Sequence, residues 1–255
     1  SQYKETEKKI PPPLPLSLSA LIAECANAFG YSPKQTQQIA QQLYQEVKIS
    51  YPRTSSDSYP PGTDFGEMLK NIDVPYDGEK QIYQRGGKFD GSHTPIKPHS
   101  APGSDIVHIL IEKSFLAGFY PFAELIYRSV WFSSQGTEIQ LKLNGLEVVK
   151  KGWLDVYDYR YPKTEIIPAF SQGEKIEVIN LEVEEKQTKP PRRYSQAGII
   201  LYMKKVGIGT EATRANILDK IISRNFITKE IKALDLAKRI IDGLLSVDAD
   251  IVSSE

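Results

Sequence analysis

A chain of 255 residues, 40% of them hydrophobic, carries enough apolar material for one large domain or two modest ones with real cores. Its 32 basic residues balance its 32 acidic ones, so bulk charge argues neither for nor against nucleic acid, and a basic binding surface has to be sought locally. The single cysteine, Cys25, excludes structural disulfides and cysteine-rich zinc sites; beside Leu21, Ile22, Ala28 and Phe29 it reads as a small core residue. The charged start, Ser1 to Ile10, is unlike a signal peptide, and no apolar run reaches the roughly 18 residues of a membrane span, so a soluble cytoplasmic protein is expected.

In chain order, residues 1 to 16 read as a polar lead-in followed by Pro11-Pro12-Pro13-Leu14-Pro15, an extended connector without helix or central-strand capacity. Ser19 is a candidate cap for a helix facing inward through Leu21, Ile22, Cys25, Ala28 and Phe29 and ending at Gly30. Ser32-Pro33 starts a second helix with Thr36, Ile39, Ala40, Leu43 and Val47 on one face. From Asp57 to Gly91 the density of Gly, Pro, Asp and Ser predicts loops, with at most a short helix near Phe65 to Asn71. Helical periodicity returns from Ser104 to Gly118, with Ile106, Ile109, Leu110 and Phe115 inward.

The pattern then turns to strands over Leu125 to Phe132, Glu138 to Leu143 and Lys175 to Val183, with turn signals at Gln135-Gly136, Asn144-Gly145 and Gln172-Gly173. Beyond Pro190-Pro191 three helices are predicted, over Ser195 to Lys205, Thr213 to Arg224 and Leu234 to Leu245. The expected fold class is therefore α+β in segregated blocks.

Three clusters carry chemistry. In Ile49-Ser50-Tyr51-Pro52-Arg53-Thr54-Ser55-Ser56, a tyrosine hydroxyl with an ordinary pKa near 10 needs a cation or donor to act as a nucleophile, and Arg53 can supply one. An extended segment would set Tyr51 and Arg53 on one face, with the Thr54 hydroxyl as a further phosphate contact. In Gly91-Ser92-His93-Thr94-Pro95-Ile96-Lys97-Pro98, a rigid loop presents one imidazole and one lysine, and histidine titrates near neutral pH. In Gly207-Ile208-Gly209-Thr210-Glu211-Ala212-Thr213-Arg214, glycines ahead of a helix leave backbone amides open to a phosphate, with Gly209, Thr210, Thr213 and Arg214 as candidate contacts. From Lys189 to Arg239 basic residues exceed acidic ones, Arg192, Arg193, Arg214 and Arg224 among them, as a phosphate-backbone surface requires.

In this order the segments resemble the type IA DNA topoisomerases. The resemblance rests on Pro11 to Pro13, Ile49 to Thr54, His93 to Pro98, Phe115-Leu116-Ala117, Pro190 to Tyr194 and Gly207 to Arg214, and it looks closest to the archaeal topoisomerase I/III branch. It implies Tyr51 as the nucleophile forming a 5′-phosphotyrosyl link to one DNA strand, Arg53 positioning the scissile phosphate and His93 near the active site. It also implies Thr213 and Arg224 on single-stranded or underwound DNA. Ser55 departs from the bacterial pattern, which has an aspartate there.

The blocks implied are a Pro-rich connector from the arch (1–14), a helical domain with the tyrosine (15–130), β-rich arch segments (131–188) and part of a basic helical DNA-binding domain (189–255). The family's magnesium-binding Toprim domain normally precedes the Pro-rich segment. Nothing before Pro11 could hold it, and Asp248-Ala249-Asp250 lacks the following acid, so Mg2+ is expected from a Toprim domain in cis or in trans and no metal is expected on this chain. The rival reading is a catalytically silent single-stranded-DNA-binding fragment, or a subunit that needs a separate Toprim partner.

Overall fold

The structure, a computed structural model, describes residues 2–75, 82, 86–133, 140–180 and 182–252. These residues fall into two compact units, one around 2–13 and 116–190, the other around 14–75, 86–115 and 191–252. Helices and antiparallel strands do segregate: the units divide after residues 13, 115 and 190, and the first helices share a core with those after residue 191.

The first unit is built on a three-stranded antiparallel sheet of β1 (Gln2–Ile10), β2 (Ala123–Ser133) and β3 (Gln140–Lys150), in that spatial order. Residues 2–10, expected to be a connector, are thus an edge strand. No residue of β1 is buried, so it lacks the alternation that marks a half-buried strand. Charge pairing across the ladder holds it instead: the Arg128 guanidinium meets Glu5 of β1 at 2.8 Å and Glu147 of β3 at 2.5 Å.

Asn144-Gly145 is not a turn but lies within β3, where Leu146 bridges Glu165. A Cβ at Gly145 would fall 2.6 Å from Ile167 Cγ1 and 2.9 Å from the Glu165 carbonyl oxygen, so this glycine marks a close backbone approach. The Gln172-Gly173 turn forms, whereas Gln135-Gly136 lies outside the described residues. No strand forms over the described part of 175–183; Ile179 is 96% exposed, for its β-branched residues have no neighbouring strand to pair with.

In the second unit α1 (Leu18–Phe29) starts on Ser17, whose Oγ accepts from the Ala20 amide, and ends at Gly30 with φ +70°. The cap is Ser17 rather than Ser19, which lies buried in the first turn. Helix α2 (Pro33–Gln45) begins at the expected Ser32-Pro33, but Val47 lies past its end, at φ +59° and exposed. The short α3 (Phe65–Lys70) is capped by Asp64. In α4 (Ile106–Ala117) the buried face runs through Val107, Leu110 and Ile111; Ile106 is exposed, so the inward stripe is turned by one residue from the expected one.

Helices α5 (Gln196–Lys205), α6 (Arg214–Ser223) and α7 (Asp235–Val247) match the predicted ones. Leu18, Leu21, Ile22, Cys25, Ala40 and Leu43 form a core with Ile200, Met203, Ala215 and Leu218, as α1 packs on α2 and α5 and α2 on α6. Burial pushes the Cys25 thiol up to about 12, as its core position requires. Between α6 and α7, Thr228 N–H donates to Lys232 and Leu234 N–H to Phe226, closing a tight turn through Ile231 at φ +58°.

Candidate functional site

Three short extended stretches meet around the tyrosine, each held by a single bridge. The Ile96 amide donates to the Leu16 carbonyl, Ile49 bridges Pro98, and the Leu18 amide donates to the Thr54 carbonyl. Ser50 locks the crossing: its amide donates to the Lys97 carbonyl, while its Oγ donates to the Pro95 carbonyl and accepts from the Lys97 amide. With Ile49 and Ser50 buried on one side of Tyr51 and Pro52 on the other, the tyrosine backbone is fixed while its ring stays half-buried.

This corner brings two of the expected catalytic residues together. The Tyr51 and His93 rings lie with centroids 4.8 Å apart, tilted by 34°. Tyr44, at the end of α2, meets Tyr51 edge-on at 5.5 Å. The chain bends at Pro52 and Arg53 instead of running extended, and Arg53 is an exposed side chain lining a groove along α2.

Asp90, which the sequence reading passed over, organises the corner. Its Oδ1 accepts the amides of Ser92 and His93, both at 2.8 Å, and its Oδ2 accepts from the Ser55 hydroxyl at 3.2 Å and lies 4.0 Å from His93 Nδ1. Burial works against the charged form. The His93, Ser92 and Ser55 hydrogen bonds outweigh it and hold the carboxyl well below the usual carboxylate range. An aspartate followed by Gly91-Ser92 is the sequence signal of such a turn, in which the side chain caps amides two and three residues on.

The same hub corrects the expectation for Thr54. It is fully buried, its Oγ1 donating toward Asp90 and the His93 carbonyl at 3.4 Å and accepting the Ser56 amide at 3.0 Å. Thr54 therefore ties the tyrosine segment to the histidine loop and presents no free hydroxyl to DNA. Lys97 is half-buried, and burial moves its ammonium down from the ordinary lysine value, partly offset by Glu67.

The glycine loop before α6 forms a second hub. Glu211, 7% exposed, accepts from the Ser19 amide at 2.8 Å, from the Ser19 hydroxyl at 2.6 Å and from Arg214 at 2.9 Å, with Lys204 at 3.7 Å. Arg214 corrects its expected role. It is itself 7% exposed, and its remaining N–H groups donate to the Ile208 and Gly209 carbonyls, so the guanidinium shapes the loop from inside.

Gly209, Thr210 and Thr213 do face solvent. The Thr210 amide donates to Thr213 Oγ1 at 2.8 Å, and Gly209 sits at φ +65°, where a Cβ would also press on Thr213 and Arg214. Arg192 and Arg193 are exposed ahead of α5, and Arg224 is exposed at the C-terminal end of α6. Among the described residues no contact links these three arginines to Tyr51. No group of three or more His, Cys, Asp or Glu able to hold a metal ion forms among the described residues either.

The chain is 37% identical to DNA topoisomerase 1 of Pyrococcus horikoshii over 277 residues, covering all of this chain and 40% of the relative. It is 34% identical to DNA topoisomerase 1 of Methanocaldococcus jannaschii over 274 residues, covering all of this chain and 36% of the relative. Among solved structures, full-length topoisomerase I from Thermotoga maritima shares the fold with a TM-score of 0.80 at 24% identity, covering all of this chain and 46% of that one. The chain thus spans less than half the length of the relatives it matches. A family model described as DNA topoisomerase matches residues 1–255 from end to end, and the chain belongs to the type IA DNA topoisomerases.

Proposed function

We propose that the chain supplies the strand-cleaving tyrosine of a type IA topoisomerase, cutting and rejoining one strand of single-stranded or underwound DNA. The observation that carries this reading is the contact between Tyr51 and His93 at a corner whose backbone is locked on both sides. Tyr51 Oη attacks the phosphorus, its bond to the 3′ oxygen of the preceding nucleotide breaks, and the 5′-phosphate stays on the tyrosine. The phenol proton leaves as the attack proceeds, and the departing 3′ oxygen takes one up. His93, exposed and against the ring, moves that proton, and Arg53 neutralises the phosphate oxygens. The reverse attack reseals the strand, and the phosphotyrosine conserves the bond energy, so relaxation of negative supercoils needs no ATP.

Magnesium belongs in this reading to a Toprim domain, in cis or in trans; the described residues of the chain do not form a set fit for it. No described helix is long and apolar enough to cross a membrane. The rival, a catalytically silent single-stranded-DNA-binding fragment or a subunit that needs a separate Toprim partner, predicts no cleavage by this chain unless that partner is added.

The test uses an oligonucleotide labelled at its 3′ end, incubated with the chain, Mg2+ and a Toprim-bearing partner, then denatured. Label should remain on the wild-type chain and vanish from Tyr51→Phe, while single-stranded DNA affinity stays within about twofold. An adduct in Tyr51→Phe, or retention of a 5′-end label instead, would overturn the assignment.

A further inference from the structure

The geometry points to a base-contacting groove along α2, lined by unengaged glutamine amides, that receives a nucleobase of the strand whose backbone Arg53 holds; this rests on the function proposed above. A groove of about 230 Å3 runs along α2 and takes in Gln38, Gln41, Gln45, Arg53 and, from α6, Asn216. That volume is below the roughly 300 Å3 at which pockets for drug-sized ligands begin, and suits one planar base.

The side chains lining it differ from those of a phosphate track. Gln38, Gln41 and Gln45 recur at i, i+3 and i+7, and so form one stripe on the helix. Two other glutamines of the groove are already engaged, Gln37 with the Ala212 carbonyl at 3.2 Å and Gln42 with Glu46 at 2.8 Å. Lys34, at the α6 side, is paired with Asp219 at 2.7 Å. Among the described residues nothing engages the amides of Gln38, Gln41 and Gln45, which leaves three neutral donor–acceptor groups beside one cation.

A carboxamide offers two N–H donors and a carbonyl acceptor, and it pairs with the edge of a base, not with the charge of a phosphate. In a single strand the Watson–Crick edges are free, and an amide that can both donate and accept matches any of the four. Tyr44, at the end of the same helix and edge-on to Tyr51, is 39% exposed and adds an aromatic surface of the kind on which bases stack. The arrangement sets base contacts on the helix and phosphate contacts at Arg53 and Tyr51.

The experiment measures binding of a mixed-sequence 20-mer, and of the same 20-mer carrying abasic sites throughout, to the full chain across a salt series. The variant is Gln38→Ala/Gln41→Ala/Gln45→Ala, in which alanine favours the helix, so an unchanged melting temperature confirms the fold. Loss of three neutral hydrogen bonds should raise Kd about tenfold on the base-bearing strand and leave the abasic strand unaffected. Neutral side chains release no counterions, so the slope of log Kd against log salt should stay the same.

Equal weakening on both strands, a changed salt slope, or no weakening at all would overturn the groove. If the wild-type chain bound neither strand, the proposed function would fall with it. If it bound normally and the triple variant matched it, the groove alone would be lost.

Discussion

The tyrosine corner and the glycine loop are each organised by one carboxylate, and the two carboxylates work differently. Asp90 gathers neutral donors, three backbone amides and the Thr54 and Ser55 hydroxyls, at a partly solvated position. Glu211 gathers two cations and both donors of Ser19 in a nearly dry one. In both, a hydroxyl or cation that looks fit for DNA, Thr54 or Arg214, turns inward to hold the loop, and its neighbours, Arg53 or Thr210 and Thr213, face out. Residue type alone does not separate the holders from the contacts; the partner each group finds in the fold does.

The sharpest way to break this comparison is at Arg214. Arg214→Ala leaves the Glu211 carboxylate buried with only the more distant Lys204 as cation, a change that costs about 3 kcal/mol, or roughly 8 °C of melting temperature. Thermal unfolding with and without single-stranded DNA measures it. Unchanged stability with lost DNA affinity would instead make Arg214 a contact.

Asp90→Asn should cost less, about 2 kcal/mol, because it weakens hydrogen bonds without stranding a cation. Its pH dependence follows from the sign of the shift. The folded carboxyl titrates below the unfolded value of about 3.9, so its stabilisation is complete above that value and is lost as pH falls toward the folded one. The gap between wild type and variant should therefore hold from pH 7 to about pH 5 and close only in stronger acid. Denaturant unfolding across that range would show it, and a gap that closed near pH 6 would assign the effect to another group.

What could be read from the sequence, and what could not, divides along the same line. Ser32-Pro33 and Gly30 act within one turn of chain, and the helix boundaries they predict are the observed ones. The order of motifs carried the family, and the Tyr51 segment and the His93 loop do meet. Glu211 was missed because its partner Ser19 lies 192 residues away; for Asp90 the local turn signal was there to read, but its link to the tyrosine segment runs through Ser55, 35 residues away. The strand expected over Lys175 to Val183 failed for the converse reason: its local pattern was right for pairing, but among the described residues no strand lies beside it. β1 was missed because an edge strand wet on both faces leaves no alternation to read.

The smallest effect is expected at Arg224, the outward counterpart of Arg214. The two lie at opposite ends of α6, ten residues apart and so about 15 Å along the axis. Arg224 is exposed at the helix C-terminus, where a cation gains only a few tenths of a kcal/mol from the dipole, so Arg224→Ala should shift stability by no more than about 0.5 kcal/mol. If it rests on a phosphate, single-stranded DNA affinity should fall about threefold at low salt and the salt slope should decrease by about 1. Arg214→Ala should show the opposite pattern, a large loss of stability with the slope intact. An Arg224→Ala variant with an unchanged slope would take the DNA path off this end of α6.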